Sequence, residues 1–210
     1  MSKTDFTKTV VTLVQEKLGS LGFQKRKYGI MVMAVSEDVI GLVGLNTAHG
    51  RGPGILEINP VVGVRNQRVE RLVADLLGRP YDEVNPYSAG VHVGYLSPES
   101  RYHPYVFEQS APVDDLANEL VDAIRKYGLP FFRSNVTLPA LLETMRRRGI
   151  AIVTVYRIPV VLHLLGRSAE ANTFLSEELA KIGAQTDPAS EQLRRFADRF
   201  KEWSRTPAVQ

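Results

Sequence analysis

The stretch Ala48-His49-Gly50-Arg51-Gly52-Pro53-Gly54 holds the densest set of groups able to do chemistry. Glycines let backbone N–H groups approach an anion, and a guanidinium such as that of Arg51 can pair with a phosphate or carboxylate. The spacing matches neither a P-loop nor a dinucleotide fingerprint, and no helical pattern follows it. Without a ligand the same string is a hairpin connection, because Gly and Pro dominate such turns. The groups that neighbouring strands can bring to this loop are Glu57, His92 and Tyr95. With His49 and Arg51 as anion contacts, these five residues are the candidate ligand-binding set.

Other reactive types are sparse. The four histidines, His49, His92, His103 and His163, form no HxH or HExxH group, and cysteine is absent. Thiol catalysis and thiolate metal sites are therefore excluded. A metal centre or a base with an orienting partner needs groups this spacing does not supply, so no metal, cofactor or catalytic residue is assigned. His163 lies in an apolar helix pattern and fits a core or boundary position. His92, out of phase with Val91 and Val93, fits the second face of a sheet. Isolated carboxylates such as Glu57 cannot by themselves define a glycosidase or a two-metal site.

Lysine and arginine number 26 against 23 acids, a net charge of +3. That excess is too weak to argue for nucleic acid. The basic groups Lys25-Arg26-Lys27, Arg146-Arg147-Arg148, Arg194-Arg195 and the set Arg65, Arg68, Arg71 fit solvated faces interspersed with acids. The first twenty residues lack the apolar run of a signal peptide, and the longest apolar runs are too short to cross a bilayer. The expectation is a soluble, cytoplasmic protein with no membrane partner.

The elements that must position these groups follow from periodicity. Phe6, Val10, Leu13, Val14, Leu18 and Leu21 make one helical stripe over residues 4–20. Strands are expected at 30–35, 39–45, 55–64, 91–95 and 105–108, with 47–54 as a loop. Leu56, Ile58, Val62 and Val64 share one face of the third strand, and Pro60 argues for an edge or a bulge there. Residues 66–78 return to helical spacing. From residue 112 the pattern is almost wholly helical, with a stop expected at Gly128-Leu129-Pro130 and new starts at Thr137, Ile158-Pro159, Ser168 and Asp187-Pro188. Residues 150–156 fit either a strand or a helix. No internal repeat is visible.

Three local patterns add a family likeness. Leu21-Gly22-Phe23 leads from the first helix through basic residues into a hairpin. Tyr127-Gly128-Leu129-Pro130-Phe131-Phe132 ends the helix after the sheet, and Leu164-Leu165-Gly166-Arg167 precedes an Ala- and Glu-containing helix. Together they resemble a group of uncharacterised bacterial α+β domains, some of which occur among immunity proteins of polymorphic toxin systems. The AHGRGPG loop and the extended helical half lie outside the likeness. What it implies is a binding protein rather than an enzyme, and it carries no catalytic residues.

The sequence thus predicts an α+β fold: an antiparallel sheet of about five strands packed with an N-terminal helix and a helix-rich C-terminal half. A single domain over residues 1–210 is expected, with a sheet-rich half at 1–110 and a helical half at 111–205. The functional expectation is a non-catalytic protein-binding module, of the toxin-neutralising immunity type, whose partner is a protein. The alternative is a small-molecule or anion-binding protein or enzyme built on loop 48–54 and the open sheet face. Self-association stays open.

Overall fold

The computed structural model describes residues 3–50, 52–147 and 154–205. Helix α1 (Lys3–Gly19) buries Phe6, Val10, Val14 and Leu18, the stripe its spacing predicts. The sheet follows as β1 (Gln24–Lys25), β2 (Met31–Ala34), β3 (Val39–Ala48), β4 (Ile55–Asn66), β5 (Ala89–His92) and β6 (Tyr105–Glu108). The order is β1-β2-β3-β4-β5, and β6 also pairs with β4; every pairing is antiparallel. The expected α+β class and antiparallel sheet are present, with β1 added.

Three strand expectations need correction. β3 runs to Ala48, so Thr47 and Ala48 belong to the strand rather than the loop. Val93–Leu96 is a 3-10 turn, not the end of a strand. The strand carrying Pro60 is the centre of the sheet, not an edge. One side of β4 pairs with β6 through residues 55–58 and with β5 through residues 61–64. Pro60 sits at the break between those two neighbours, where a missing N–H costs least.

Alternation along β4 sets the two faces. Leu56, Ile58, Val62 and Val64 point inward with Val43, Met31, Phe107 and Val91 of the paired strands, and all are buried. This inner face is covered by α1 and by a long helical run, α3 (Asp114–Ala123), a π turn (Ile124–Gly128) and α4 (Leu129–Ser134). The expected stop at Gly128-Leu129-Pro130 does not occur. The Leu129 N–H bonds the carbonyl of Ile124, five residues back, so the bonding ladder shifts just before Pro130 and absorbs its missing donor. Gly128 lets the run lie close to the sheet, because a Cβ there would lie 3.1 Å from Val62 Cγ1, which would have to give by a few tenths of an ångström. A Cβ on Gly41 would lie 2.6 Å from the Phe132 ring, so that ring is seated directly on β3.

The helical half hangs from α2 (Gln67–Leu77), which leaves β4 with Asn66 as its cap, the Asn66 Oδ1 accepting from the Val69 N–H at 3.0 Å. α6 (Arg157–Leu164) and α8 (Pro188–Trp203) pack against it, and α5 (Leu138–Arg146) and α7 (Ser168–Ile182) pack against α6 in turn. α6 is the middle element: Arg157 through Leu162 are all buried, and it touches α2, α5 and α7. A helix apolar all round must be enclosed in this way. Asp187 caps α8 by accepting from the N–H groups of Ala189 and Ser190, as expected. Of the ambiguous stretch 150–156, residues 150–153 lie outside the described residues, and Thr154–Tyr156 form a 3-10 turn. One hydrophobic cluster runs from Phe6 to Phe200 through both halves.

The halves are joined by a buried ion pair. Glu70 on α2 receives the Arg157 guanidinium in a two-pronged contact, Nε to Oε1 at 2.7 Å and Nη2 to Oε2 at 2.8 Å. Ser88 Oγ donates to Glu70 Oε1 at 2.7 Å and itself accepts from the Asn66 N–H at 2.9 Å. Arg65 approaches from the other side, Nη1 lying 3.6 Å from Glu70 Oε2. The expectation of Arg65 on a solvated face is therefore wrong: it is 1% exposed. Its guanidinium is held by Gln67 Oε1 at 3.0 Å and by the carbonyls of Pro86 and Asp82. Removing one partner of such a pair strands a buried charge. Glu70→Ala should lower unfolding stability in urea by about 3–5 kcal/mol, whereas Glu70→Leu with Arg157→Met should recover most of that loss.

Candidate functional site

Two regions gather the candidate residues. The first is a cleft of about 660 Å³ along one edge of β3. β2 pairs with β3 only from Ile40 to Val43, yet β3 continues to Ala48. Before Met31 the chain turns away through a 3-10 turn at Lys27–Gly29, with Tyr28 in the left-handed region at φ 60° and Gly29 at φ 72°. Gln15 Nε2 holds that turn against α1 by donating to the Gly29 carbonyl at 3.1 Å. Among the described residues, no strand pairs with this edge of β3 beyond Val43.

The cleft has two walls. α1 contributes Thr4, Lys8, Val11 and Gln15 on one side. On the other stands Tyr87, from the loop that crosses the outer face of the sheet. Its ring lies over Gly63 and Gly90, where added Cβ atoms would come within 2.7 and 2.9 Å of it. Its hydroxyl lies 2.8 Å from where a Gly44 Cβ would stand, and burial pushes the phenol pKa up. Three small residues on three adjacent strands thus let a tyrosine lie across the sheet and reach the cleft. His49 also lines the cleft, and its Nδ1 is buried with no hydrogen-bond partner among the described residues.

The second region is the outer face of β4 and β5. Glu57, Asn59 and Val61 point outward, and His92 stands opposite Val61. Tyr102 Oη donates to Glu57 Oε1 at 3.0 Å and also contacts Asn59 Oδ1. The His92 ring lies 4.7 Å from that of Tyr102 and 6.1 Å from that of Tyr95. The Gly94 N–H donates to His92 Nδ1 at 3.1 Å, so the neutral ring carries its proton on Nε2. That Nε2 is buried and has no hydrogen-bond partner among the described residues.

The five sequence candidates are therefore divided. Glu57, His92 and Tyr95 come together on the outer face, His49 lies in the β3 cleft, and Arg51 lies outside the described residues. Sequence reasoning missed Tyr102 and Asn59 at the first group, and Lys8, Asn46 and Tyr87 at the cleft. Asn59 shares a face with Glu57 by the period-two alternation of β4, a signal that could have found it; the others are brought in by the path of the chain, and no local spacing signals them. His163 fits its expected boundary role, its Nδ1 lying 2.9 Å from Ser168 Oγ and its ring 4.6 Å from that of Trp203. Among the described residues there is no group of three or more His, Cys, Asp or Glu able to hold a metal ion, and no helix is long and apolar enough to cross a membrane. No known protein family, curated protein or solved structure matches this chain.

Burial lowers the pKa of His92, with His103 adding a smaller repulsion, and burial also lowers that of His163. Each folded-state pKa lies below the unfolded value near 6.5, so the unfolded chain binds more protons as pH falls through that value. Stability should therefore decline from pH 7 toward pH 5, and His92→Gln should flatten the decline in pH-dependent urea unfolding. An unchanged slope in that variant would place the pH dependence elsewhere.

Proposed function

We propose that this chain is a non-catalytic protein-binding module that receives an extended segment of a partner along the open edge of β3. The observation that carries this reading is the mismatch of strand lengths. β2 leaves the edge at Val43, β3 runs on to Ala48, and the cleft of about 660 Å³ lies over the unpaired part. Alternate residues of a strand direct their N–H and C=O groups to the same edge, so a bare edge is a ready template for another strand. Natural sheets usually guard such edges with Lys, Pro or a bulge. The sequence Gly44-Leu45-Asn46-Thr47-Ala48 carries none of these charges or prolines. Strand addition supplies affinity through main-chain bonds and specificity through alternate side chains.

The toxin-neutralising class joins this reading through the local patterns at residues 21–23, 127–132 and 164–167. A photo-reactive benzoylphenylalanine at Thr47, irradiated in extract of the native host, should cross-link one protein, and Asn46→Pro should abolish the product. Capture from a probe at Glu202 on α8 but none from Thr47 would move the binding face away from the sheet edge.

A further inference from the structure

The cleft also specifies the chemistry of its occupant, on the reading that β3 accepts a strand. Both of its long sides start at the same place. Gln15 is tied to Gly29, and Gly44 follows the last residue paired with Met31. From there α1 runs back toward Thr4, about 16 Å at the helical rise, while β3 runs forward to Ala48, about 17 Å for its five unpaired residues. With the two walls running side by side from that end, Lys8 and Thr4 fall toward the Thr47–His49 end and Val11 falls between, on the Leu45 side, while Ile30 stays at the starting end beside Gly29.

Among the described residues lining the cleft none is acidic, and Lys8 is the one charged side chain. Lys8 is exposed and forms no ion pair among the described residues. A second copy of this chain is a poor occupant. Its own Lys8 would be brought to the same neighbourhood, and the edge is sunk between α1 and Tyr87 rather than standing free. A single extended segment fits such a slot.

We infer that the occupant is an acidic extended segment of a protein, lying antiparallel to residues 44–48, with a carboxylate side chain at its N-terminal end over Lys8. An apolar side chain two residues later on the same face then meets Val11 and Leu45. Antiparallel pairing matches every other pair in this sheet, and it sends the C-terminal end of the segment toward Met31, in line with β2.

The test is selection of a displayed random heptapeptide library on the intact protein, followed by affinity measurement with synthetic peptides. The expected winners carry Asp or Glu two residues before an apolar residue. Lys8→Glu should weaken them by about tenfold or more, and reversing the peptide's acid to Lys should restore binding to that variant. N-methylation of alternate peptide residues, which leaves the protein untouched, should abolish binding. Peptides sensitive to N-methylation but lacking an acid and indifferent to Lys8→Glu would overturn the charge assignment while leaving strand addition standing. Failure to select any peptide, or selection of peptides indifferent to N-methylation, would overturn strand addition itself.

Discussion

The two-pronged contact between Glu70 and Arg157 is the constraint on which the arrangement of the two halves depends. Residues 87 positions apart meet with almost no exposure to water. A charge can persist there only if every polar valence is answered, and Ser88, Arg65 and Gln67 answer most of them. The pair fixes where α6 starts relative to α2. Because α6 is enclosed on all sides, α5 and α7 are positioned with it. Nonpolar packing alone would tolerate small slides between helices; a bidentate contact does not.

The same cluster reaches the proposed binding edge. Arg65 donates to the carbonyls of Asp82 and Pro86, pinning the loop that crosses the outer sheet face. Tyr87 follows directly and lies over Gly63 and Gly90 with its hydroxyl at Gly44. One wall of the β3 cleft is thus set by the guanidinium that also borders Glu70. The other wall is set by Gln15 and the left-handed turn at Tyr28, which together carry the chain away from β3. The bare edge is held open from both sides by ordered structure, so a partner segment would meet a preformed slot.

Elements with one buried face were legible in the sequence. The stripes of α1, α2 and α8 and the alternation along β4 follow directly from half-burial, and Asp187-Pro188 marks a helix start by local chemistry alone. What could not be read depends on contacts remote in sequence. Pro60 suggested an edge or a bulge because nothing local reveals that two strands share one side of β4 and part at that residue. Gly128-Leu129-Pro130 suggested a stop because a π turn that absorbs the proline has no distinct spacing. Arg65 sits beside Arg68 and Arg71 in the chain, and only the loop folded over it makes it a buried residue. The candidate site was legible in part: Glu57, His92 and Tyr95 do share a neighbourhood, but His49 serves a different cleft, whose existence rests on β2 being six residues shorter than β3 (Met31–Ala34 against Val39–Ala48).

The central claim concerns backbone groups, so amide hydrogen exchange read residue by residue tests it most directly. In the free protein, alternate amides of residues 44–48 should exchange quickly while their neighbours, bonded to β4, exchange slowly. Addition of a bound partner segment should protect those fast amides and leave the outer face around Tyr102 unchanged. Protection confined to Tyr95, Tyr102 and Glu57, with residues 44–48 unaffected, would contradict the account and move the binding site to the opposite side of β4.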